Sequence, residues 1–441
     1  MKTVFLCGGI GKRMQPIAED KFLLKFLGKT LLEHQIDLAE TAGLKEFVLI
    51  GNPHNIEKIK EICSARKDLK FEFAVQAEPK GMADALLSAR GLLEGEEFFV
   101  VNTNDVFELD AYKNVLAAAK DKGWDSFIVG RKVEKYFPGG YLKTSSGSEL
   151  AEIIEKPLPG TEPSDMVNIV VHLHRNAKKF FEFLSKAKSD KDDVYERAIS
   201  AMIASGSKIK VVPYSGFWKA IKFPWHIFDI SKYFLEQAKR KISPNAKISE
   251  RAVVDGNVVI EDGVKIFENA VVRGPAYIGK GTIIGNNSLI WGGTQIGENC
   301  VVGFSTEIKH SYIGDNCWFH SDYIGDSIVG DSTSFGAGTI TANLRFDNSN
   351  VKSNVRAERV DTGMDKLGAI IGHNCKTGVN CVLLPGVKVG PNSIVGPHMN
   401  LSEDLEPNKI IFLKQEHTIK ENTIKPAKDY SEFRKKLEVV K

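Results

Sequence analysis

A glycine-rich segment with two adjacent basic residues, Cys7-Gly8-Gly9-Ile10-Gly11-Lys12-Arg13-Met14, ends the first apolar run of the chain. Glycines allow a backbone to approach phosphate closely, and Lys12 and Arg13 bring positive charge toward a triphosphate. The spacing matches neither the P-loop nor the dinucleotide-binding fingerprint, and a glycine-rich strand exit is often only a turn. Phosphate binding and a structural turn therefore both stay open on this segment alone.

A second candidate for chemistry is the histidine in Trp318-Phe319-His320-Ser321-Asp322-Tyr323-Ile324-Gly325-Asp326. A neutral imidazole can take a proton from a nucleophile near pH 7, although a single histidine is more often a structural or solvated residue. Zinc chemistry is not indicated, because His310, His320 and His373 lack the close spacing of a three-histidine site. The surrounding residues must decide between a base and a structural histidine.

This histidine interrupts a six-residue repeat of aliphatic side chains. Neither a helix nor an alternating strand has that period, so the second half is predicted to be a stack of short strands whose repeated side chains fill a narrow prism. Residues 342–368 form a polar excursion, and a loop of that length on a solenoid is usually functional. The repeat consists of Ile242, Ile248, Val254, Ile260, Ile266, Val272, Ile278, Ile284, Ile290, Ile296, Val302 and Ile308, with five-residue steps to Ile313 and Ile324, and resumes at Ile371, Thr377, Leu383, Val389, Val395 and Leu401.

In the first half, apolar runs alternate with helical segments. This order predicts a mostly parallel sheet with ligands at the carboxyl ends of its strands. The predicted strands are MKTVFLCGG, EFVLIGN, FEFAVQ and EFFVVNTND, and the predicted helices cover residues 30–42, 56–65 and 81–93. We place an α/β domain at residues 1–237, the repeat domain at 238–413 and a charged, exposed extension at 414–441.

The composition is typical of a cytoplasmic enzyme with two domains. A net charge of +3, from 59 basic and 56 acidic residues, gives no general attraction to nucleic acid or membranes. No segment approaches the roughly 20 apolar residues of a membrane span, and the first residues do not resemble a signal peptide. The six cysteines lack the spacing of a zinc or redox motif and are predicted to be small buried side chains.

Several motifs follow the glycine-rich segment in an order that resembles the sugar-1-phosphate nucleotidyltransferases. They are Lys21 with LLKFLGKTLLEHQI, the segment QAEPKGMADAL, the strand end VVNTND and the triplet Glu155-Lys156-Pro157. The resemblance implies catalytic roles for Arg13 and Lys21 and a magnesium ligand at Asp105. It also implies that a nucleoside triphosphate and a sugar 1-phosphate are bound by Gly8, Gly9, Gly11, Gln76, Gly81, Gly140, Glu155 and Asn168.

Four positions depart from that family's pattern near the expected chemistry. Asp20 replaces a proline, Met82 replaces a threonine and Asn104 replaces a glycine. Ala220 stands two residues after Trp218, where the family has a second metal-binding carboxylate. Because Mg²⁺ keeps several waters, one aspartate and the phosphates could hold it, with weaker affinity. An active nucleotidyltransferase and a domain that only binds nucleotide or sugar both remain possible.

In the second half, H-x-x-Y-x-G-D followed by GAGTIT-x-N resembles the acetyltransferase site of the bifunctional glucosamine-1-phosphate acetyltransferase/N-acetylglucosamine-1-phosphate uridylyltransferases. The resemblance implies a left-handed parallel β-helix, a homotrimer and acetyl-CoA as the acyl donor. It makes His320 the general base for the amine and gives Tyr323, Asn343 and Lys352 contacts to the sugar phosphate. Ala337 and Gly338 would contact acetyl-CoA through their backbone N–H groups.

This site also departs from its family. Trp291 replaces a phosphate-binding arginine, Ser334 an asparagine and Ser349 a lysine, while Lys309 and Arg345 are candidate replacement charges. Losing an arginine–phosphate pair would weaken binding about tenfold to a hundredfold. We therefore expect acetyl transfer to an amino-sugar 1-phosphate, with glucosamine 1-phosphate as the leading candidate. We also expect Mg²⁺-dependent nucleotidyl transfer from UTP or dTTP to a sugar 1-phosphate. The alternative is an acetyltransferase whose first domain is only a binding module.

Overall fold

The computed structural model describes residues 1–17, 20–145, 147–356, 358–424 and 430–437. Thirteen strands belong to the first half. They are β1 Lys2–Leu6, β2 Lys25–Phe26, β3 Lys29–Thr30, β4 Glu46–Gly51, β5 Lys70–Val75, β6 Phe98–Asn102, β7 Asp105–Phe107, β8 Ser126–Lys132, β9 Gly140–Thr144, β10 Leu150–Glu155, β11 Met166–His174, β12 Ile209–Pro213 and β13 Trp218–Ala220.

Nine of these strands form one twisted sheet. Its path is β10-β9-β11-β6-β1-β4-β5, and β8 joins β11 to β12. The four predicted strands β1, β4, β5 and β6 are parallel, as expected. The prediction of a mostly parallel sheet is too simple, however, because β11 runs antiparallel to β6, β8 and β9. The long strand β11 thereby links the parallel half of the sheet to an antiparallel half.

Helices cover the faces of this sheet, and local sequence explains where they begin. Thr30 and Glu33 form a reciprocal capping box that starts the first helix, which satisfies two N–H groups that the helix cannot pair internally. The helices are α1 Leu31–Thr41, α2 Ile56–Ser64, α3 Met82–Ser88, α4 Arg90–Leu93, α5 Asp110–Ala118, α6 Ala177–Lys186, α7 Val194–Ala204 and α8 His226–Gln237. No helix in the described part of the chain is long and apolar enough to cross a bilayer.

The second half is a parallel β-helix built from three sheets. A strand pairs with the strand one coil later, so that Ile242, Ile260, Ile278 and Ile296 lie in one ladder eighteen residues apart. The strands up to the excursion are β14 Lys241–Ile242, β15 Lys247–Ile248, β16 Val253–Asp255, β17 Val258–Ile260, β18 Lys265–Ile266, β19 Val271–Arg273, β20 Ala276–Ile278, β21 Ile283–Ile284, β22 Leu289–Ile290, β23 Thr294–Ile296, β24 Val301–Val302, β25 Glu307–Lys309, β26 Tyr312–Ile313, β27 Trp318–Phe319, β28 Tyr323–Gly325, β29 Ile328–Val329 and β30 Ile340–Thr341.

The repeated side chains fill the prism except at its first coil, where Ile248 and Val254 are only partly buried. From Ile260 onward every repeated aliphatic residue is buried, whereas Ile242 is 37% exposed because no preceding coil covers it. The interruption of the repeat is also smaller than the sequence indicated. Phe319 and Phe335 point inward there, and their rings stack at 4.9 Å between centroids. Aromatic residues therefore continue the core where the aliphatic pattern stops.

The polar excursion forms a hairpin, β31 Lys352–Val355 and β32 Glu358–Asp361, and the prism then continues. The remaining strands are β33 Ile370–Ile371, β34 Lys376–Thr377, β35 Val382–Leu383, β36 Lys388–Val389, β37 Ile394–Val395, β38 Asn400–Leu401 and β39 Ile410–Ile411. Residues 414–424 are exposed, and Ser431–Leu437 form a helix, α9, that the pattern did not predict. Residues 425–429 and 438–441 of the predicted extension lie outside the described residues.

The two halves pack against each other through an apolar cluster. Phe26, Trp225 and Phe228 of the first half meet Tyr312 and Ile370 of the prism. Polar contacts surround this cluster, including an ion pair of 2.7 Å between Lys25 and Asp315 and paired hydrogen bonds of Gln295 with the backbone of Lys25 and Leu27. The first half and the prism therefore share one continuous interface in this structure.

Candidate functional site

A cavity of about 1160 Å³ opens at the carboxyl ends of β1 and β6. The sequence assigned twelve residues to phosphate, sugar, base or metal binding, and these residues lie in segments far apart in the chain. Eleven of them line this cavity, namely Gly8, Gly9, Lys12, Arg13, Lys21, Gln76, Gly81, Asp105, Gly140, Glu155 and Asn168. The sheet thus brings the predicted nucleotide-site residues together at the edge where parallel strands place their ligands.

Gly11, the twelfth residue, does not line the cavity. It is buried, and its carbonyl accepts the Met14 N–H at 2.7 Å, which closes the turn that presents Arg13. Gly11 therefore shapes the loop, and its direct contact with the substrate stays a prediction. Two other glycines leave room for neighbouring side chains: a β-carbon at Gly8 would collide with the Gln76 amide oxygen, and one at Gly81 would lie 2.5 Å from Asp192. At Gly81 the φ of +90° also favours glycine.

Asp105, the predicted magnesium ligand, is buried at the start of β7. Its carboxylate accepts hydrogen bonds from Trp218 Nε1 at 3.2 Å and Asn102 Nδ2 at 3.1 Å. Burial raises the pKa of Asp105 to about 6, and the Trp218 hydrogen bond opposes that shift. A buried carboxylate that is costly to ionise alone is a suitable partner for a cation. Ala220 pairs directly with Asp105 across β13 and β7, so the position expected to carry a second carboxylate faces the first one.

Three cations line the same part of the cavity. Lys21 donates from Nζ to the Ile221 carbonyl at 2.9 Å, and Arg13 lies 5.8 Å from the Phe223 ring centre. Burial lowers the pKa of Lys21 to about 8, with a contribution from neighbouring Arg13. Neither Arg13, Lys21 nor Lys222 forms an ion pair within the residues that the structure describes. The cavity therefore holds positive charge that a phosphate group would neutralise.

Lys222 is a cavity residue that sequence reasoning missed. Its Nζ donates to the Pro138 carbonyl at 2.7 Å and lies 3.6 Å from the Phe137 ring centre. Burial lowers its pKa to about 8, and the nearby Asp105 carboxylate opposes that change. The signal was present in the sequence, because this lysine follows Ala220 by two residues. A missing carboxylate and an added ammonium group occur in the same short segment.

The opposite end of the cavity carries the residues assigned to the sugar. Gly140 and Glu155 pair across β9 and β10, and a β-carbon at Gly140 would lie 3.1 Å from Glu155 Oε2 and 3.6 Å from Asn168 Nδ2. Lys156 forms an ion pair of 2.7 Å with Glu155. The missing side chain at Gly140 therefore leaves space beside a carboxylate and an amide, both of which can bind sugar hydroxyls.

His320 lies on the outer surface of the prism, one residue after β27. Its backbone N–H donates to Asp322 Oδ2 at 2.8 Å, while Asp322 Oδ1 accepts the Thr339 N–H at 2.9 Å. The buried Asp322 thereby fixes the backbone at the interrupted repeat. No hydrogen bond engages the His320 imidazole in the described portion of the chain, and the ring is exposed beside Trp318.

Tyr323 and Asn343, which were assigned to the sugar, lie together on adjacent coils. Asn343 Nδ2 donates to Asp326 Oδ2 at 2.6 Å and approaches the Tyr323 hydroxyl at 3.4 Å. The other oxygen of Asp326 lies 2.9 Å from His310 Nδ1, and the His310 ring stacks on Phe228 of α8. This buried carboxylate orients the Asn343 amide and joins the surface site to the domain interface.

Two other assignments on the prism fit less well. The N–H of Gly338 donates to the Ser321 carbonyl at 2.9 Å, so it is not free to bind acetyl-CoA as predicted. The exposed Ala337 N–H has no acceptor among the described residues. Lys352 lies on β31, and no hydrogen bond or ion pair joins its side chain to Tyr323 or Asn343 in that same part of the chain. Its contact with the sugar phosphate stays a prediction.

Charged side chains lie next to Trp291, which stands where the family has a phosphate-binding arginine. Trp291 donates to Glu307 at 2.7 Å, and Arg273 of the preceding coil lies 5.3 Å from its ring centre. Lys309 occupies the equivalent place one coil later, because Ile308 pairs with Ile290 and Lys309 pairs with Gly325. Arg345 is instead engaged by Asp347 at 2.8 Å. Of the two suggested replacement charges, Lys309 lies closer along the ladder to Tyr323.

Both halves of the chain are similar to known protein families. The nucleotidyl transferase family matches residues 2–237, and the bacterial transferase hexapeptide family matches residues 275–310 and 368–398. The bifunctional protein GlmU of Methanococcus maripaludis is 37% identical over 428 residues, which cover 95% of this chain and 99% of that protein. A bifunctional sugar-1-phosphate nucleotidylyltransferase/acetyltransferase of Sulfurisphaera tokodaii is 32% identical and covers 92% and 98%.

A crystal structure of UDP-glucose pyrophosphorylase with UDP-glucose matches 54% of this chain and 98% of its own, with 20% identity and a TM-score of 0.48. The family matches and the full-length relatives together cover both halves of the chain. The chain therefore belongs to the GlmU-like family of bifunctional sugar-1-phosphate nucleotidyltransferases/acetyltransferases and is a transferase of both kinds.

Proposed function

We propose that the first domain transfers a nucleotidyl group from UTP or dTTP to an amino-sugar 1-phosphate, with N-acetylglucosamine 1-phosphate as the leading acceptor. The convergence of Arg13, Lys21 and Lys222 on the buried Asp105 carries this proposal. An oxygen of the sugar phosphate attacks the α-phosphorus and forms a new phosphorus–oxygen bond. The bond between the α-phosphorus and the oxygen that bridges it to the β-phosphorus breaks, and pyrophosphate leaves with the electron pair of that bond. Catalysis of this kind depends mostly on positioning and on charge neutralisation, which the three cations supply.

Asp105 would hold Mg²⁺ together with phosphate oxygens and waters. The fit is reasonable for one ligand, because the Asp105 carboxylate is buried in the cavity and costly to leave without a cation. No group of three or more histidine, cysteine, aspartate or glutamate side chains forms a complete metal centre in the described ranges. When bound, Mg²⁺ would reduce the negative charge on the phosphates. Lys222 would supply part of the positive charge that a second metal-binding carboxylate would otherwise help to hold near the phosphates.

The choice of UTP or dTTP is supported by Gln76. Both hydrogens of its amide are engaged, by the Gly81 carbonyl and by Asp84 Oδ2, each at 2.9 Å. The amide oxygen, which packs against Gly8, is left to accept a hydrogen bond. The N3–H groups of uracil and thymine donate, whereas the N3 of cytosine accepts. A fixed acceptor therefore favours the first two bases over cytosine.

Release of pyrophosphate tests this half of the proposal. The full-length protein should release pyrophosphate from UTP and N-acetylglucosamine 1-phosphate with Mg²⁺, and Lys222→Ala should lower kcat/KM roughly tenfold to a hundredfold through the lost charge. Ala220→Asp should strengthen Mn²⁺ binding, measured by electron paramagnetic resonance, both in the wild-type protein and in Lys222→Ala. No release by the wild type at millimolar substrates, with release restored by Ala220→Asp, would support the binding-module alternative.

We propose that the prism transfers an acetyl group from acetyl-CoA to glucosamine 1-phosphate, with His320 as the general base. The amine nitrogen attacks the thioester carbon, the carbon–sulfur bond breaks, and the sulfur leaves as the thiolate of coenzyme A, which then takes a proton from the imidazolium that the reaction forms at His320. The proton lost by the amine passes to a neutral imidazole nitrogen of His320. The exposed, unengaged imidazole of His320, three residues before Tyr323 in the chain, carries this proposal, and Lys309 offers positive charge for the sugar phosphate.

Thiol release from acetyl-CoA with glucosamine 1-phosphate measures this second activity. Lys309→Ala should raise KM for the sugar about tenfold with little change in kcat, because a phosphate contact serves the ground and transition states alike. Lys376→Ala, which removes another exposed lysine of the prism, is the matched control. An equal effect of both substitutions would argue against a phosphate contact at Lys309.

We further propose a homotrimer in the cytoplasm. Exposed aromatic side chains follow one side of the prism, at Phe267, Phe304 and Trp318, and would be covered by a neighbouring subunit. A reducing compartment agrees with six cysteines that are all free thiols. Sedimentation equilibrium of the full-length protein should give three times the chain mass of 48.7 kDa.

A further inference from the structure

A chain of buried polar side chains runs from the sugar end of the cavity into the core of the first domain. His172 and His174 lie on the same face of β11 as Asn168, because side chains of a strand alternate between its faces. Tyr195, in the first turn of α7, reaches both rings: its hydroxyl lies 2.6 Å from His172 Nδ1 and 2.9 Å from His174 Nε2. All four side chains are buried, and of these only Asn168 was assigned a role by the sequence motifs.

The two ends of this chain are also hydrogen-bonded. His172 Nε2 lies 2.6 Å from Asn168 Oδ1, and Ser126 Oγ lies 2.9 Å from His174 Nδ1. Burial lowers the pKa of His172 to about 3 and that of His174 well below its usual value, so both imidazoles are neutral near pH 7. Each ring therefore has one nitrogen that donates and one that accepts.

One direction of donation satisfies every contact in the chain. Because Asn168 presents its oxygen to His172, the Nε2 of that ring must donate, and its Nδ1 must accept from the Tyr195 hydroxyl. The hydroxyl oxygen then accepts from His174 Nε2, and His174 Nδ1 accepts from Ser126. The opposite direction would require both rings to carry hydrogen on Nδ1 and Asn168 to present its NH₂ group to His172.

We infer that Ser126, His174, Tyr195 and His172 are positioning residues that hold the Asn168 amide with Nδ2 directed to the cavity as a hydrogen-bond donor. The space beside that nitrogen is the one left open by Gly140, next to Glu155. Asn168 then selects an acceptor oxygen on the sugar moiety, a hydroxyl or an acyl carbonyl, while Glu155 accepts from a hydroxyl. This inference rests on the proposed binding of a sugar 1-phosphate in this cavity.

The direction of donation is observable without any enzymatic activity. Solid-state NMR of the full-length protein labelled with ¹⁵N-histidine distinguishes nitrogens that carry hydrogen from bare ones, and His172→Gln and His174→Gln assign the signals by difference. Both rings should carry hydrogen on Nε2. Hydrogen on Nδ1 of both rings would overturn the inference, because the amide of Asn168 would then present its oxygen to the cavity.

Tyr195→Phe removes the central hydroxyl and tests the effect on the sugar. KM for the sugar 1-phosphate should rise about five- to tenfold, as for one neutral hydrogen bond, while KM for the nucleoside triphosphate stays within twofold. The control is Tyr112→Phe, which removes another buried hydroxyl that has no hydrogen-bond partner among the described residues. An equal rise in both KM values, or an equal effect of Tyr112→Phe, would indicate a merely structural role.

Two further variants protect the test from a folding defect in Tyr195→Phe. Asn168→Asp keeps an acceptor for His172 but removes the donor, so calorimetric affinity for the sugar 1-phosphate should fall at least as far as in Tyr195→Phe. His172→Gln retains a donor toward Asn168 and should bind the sugar better than His172→Leu. Unchanged affinity in Asn168→Asp contradicts the inference. Absence of pyrophosphate release by the wild type would instead contradict the proposed function, while the NMR result would still decide the direction of donation.

Discussion

The two candidate sites differ in how much of each is built by one chain. The nucleotide cavity draws its residues from loops and strands spread over about two hundred positions, and the sheet encloses them. The proposed acetyltransferase site instead lies on an open face of the prism, where His320 is exposed and Trp318 is half exposed. A sheet with ligands at its strand ends can form a deep site alone, whereas a solenoid grows by stacking and presents only faces.

This difference predicts that the sites fail independently when their own residues are changed. His320→Ala should lower thiol release about a thousandfold, since a positioned base contributes roughly 10² to 10⁴ in rate. Pyrophosphate release should be unaffected. His373→Ala, which removes another exposed histidine of the prism, is the control for a nonspecific effect. Equal thiol release by wild type and His320→Ala would remove this histidine from the mechanism.

The reciprocal change is Asp105→Asn, which keeps the shape of the side chain and removes its charge. Pyrophosphate release should fall about a hundredfold at 1 mM Mg²⁺, because the neutral amide is a poor ligand for a hard cation and phosphate charge is then less well neutralised. Thiol release should not change. Recovery of full activity merely by raising Mg²⁺ would limit the role of Asp105 to metal affinity, and no effect at all would contradict its assignment.

The comparison also explains which features could be predicted from the sequence. The six-residue repeat predicted the prism, because each side of each coil needs one inward-facing residue, such as Ile278 and Ile296 on successive coils. The loop glycines and Asp105 were found because close packing or burial restricts their residue type. Gly11 shows the limit of such a motif, which gives the residues of a loop without showing which of them line the cavity and which close its turn.

Other features depended on contacts between distant segments. Lys222 was not recognised, because a lysine near a strand end has no meaning until the fold places it beside Asp105. The link between Asn168 and Tyr195 joins β11 to α7 and leaves no local pattern. Phe319 was read as part of an interruption, although it packs on Phe335 inside the prism. Long-range packing decides such cases, and a single sequence does not contain it explicitly.

Assembly should matter for one site and not for the other. Phe304 is 60% exposed on the side of the prism that we propose to be covered by a neighbouring subunit. Phe304→Asp should therefore dissociate the trimer and lower thiol release about tenfold or more, because burying an unpaired charge at an interface is costly. Pyrophosphate release should persist. Phe346→Asp, at a fully exposed position on the excursion, is the control, and a monomer that retains full thiol release would show that one chain builds the whole acetyltransferase site.

The smallest predicted effect concerns stability at the enclosed site. Burial raises the pKa of Glu196 to about 8, and the nearby Glu155 carboxylate adds to the shift. An unfolded glutamate titrates near 4.3, so between these values the folded chain holds a proton that the unfolded chain has lost. The stability that this proton provides is complete below about pH 4 and is lost as the pH rises through about 8.

Glu196→Gln removes this titration while it keeps the size of the side chain. The variant should match the wild type at pH 4.5 and exceed its free energy of unfolding by at least about 2 kcal/mol at pH 9, measured by urea denaturation. Glu57→Gln, at an exposed position of α2, should show no such dependence on pH. If the difference in free energy of unfolding between Glu196→Gln and wild type is the same at both pH values, Glu196 is not held protonated by the cavity. The evidence that the nucleotide site is enclosed would then come from Asp105 and the lysines alone.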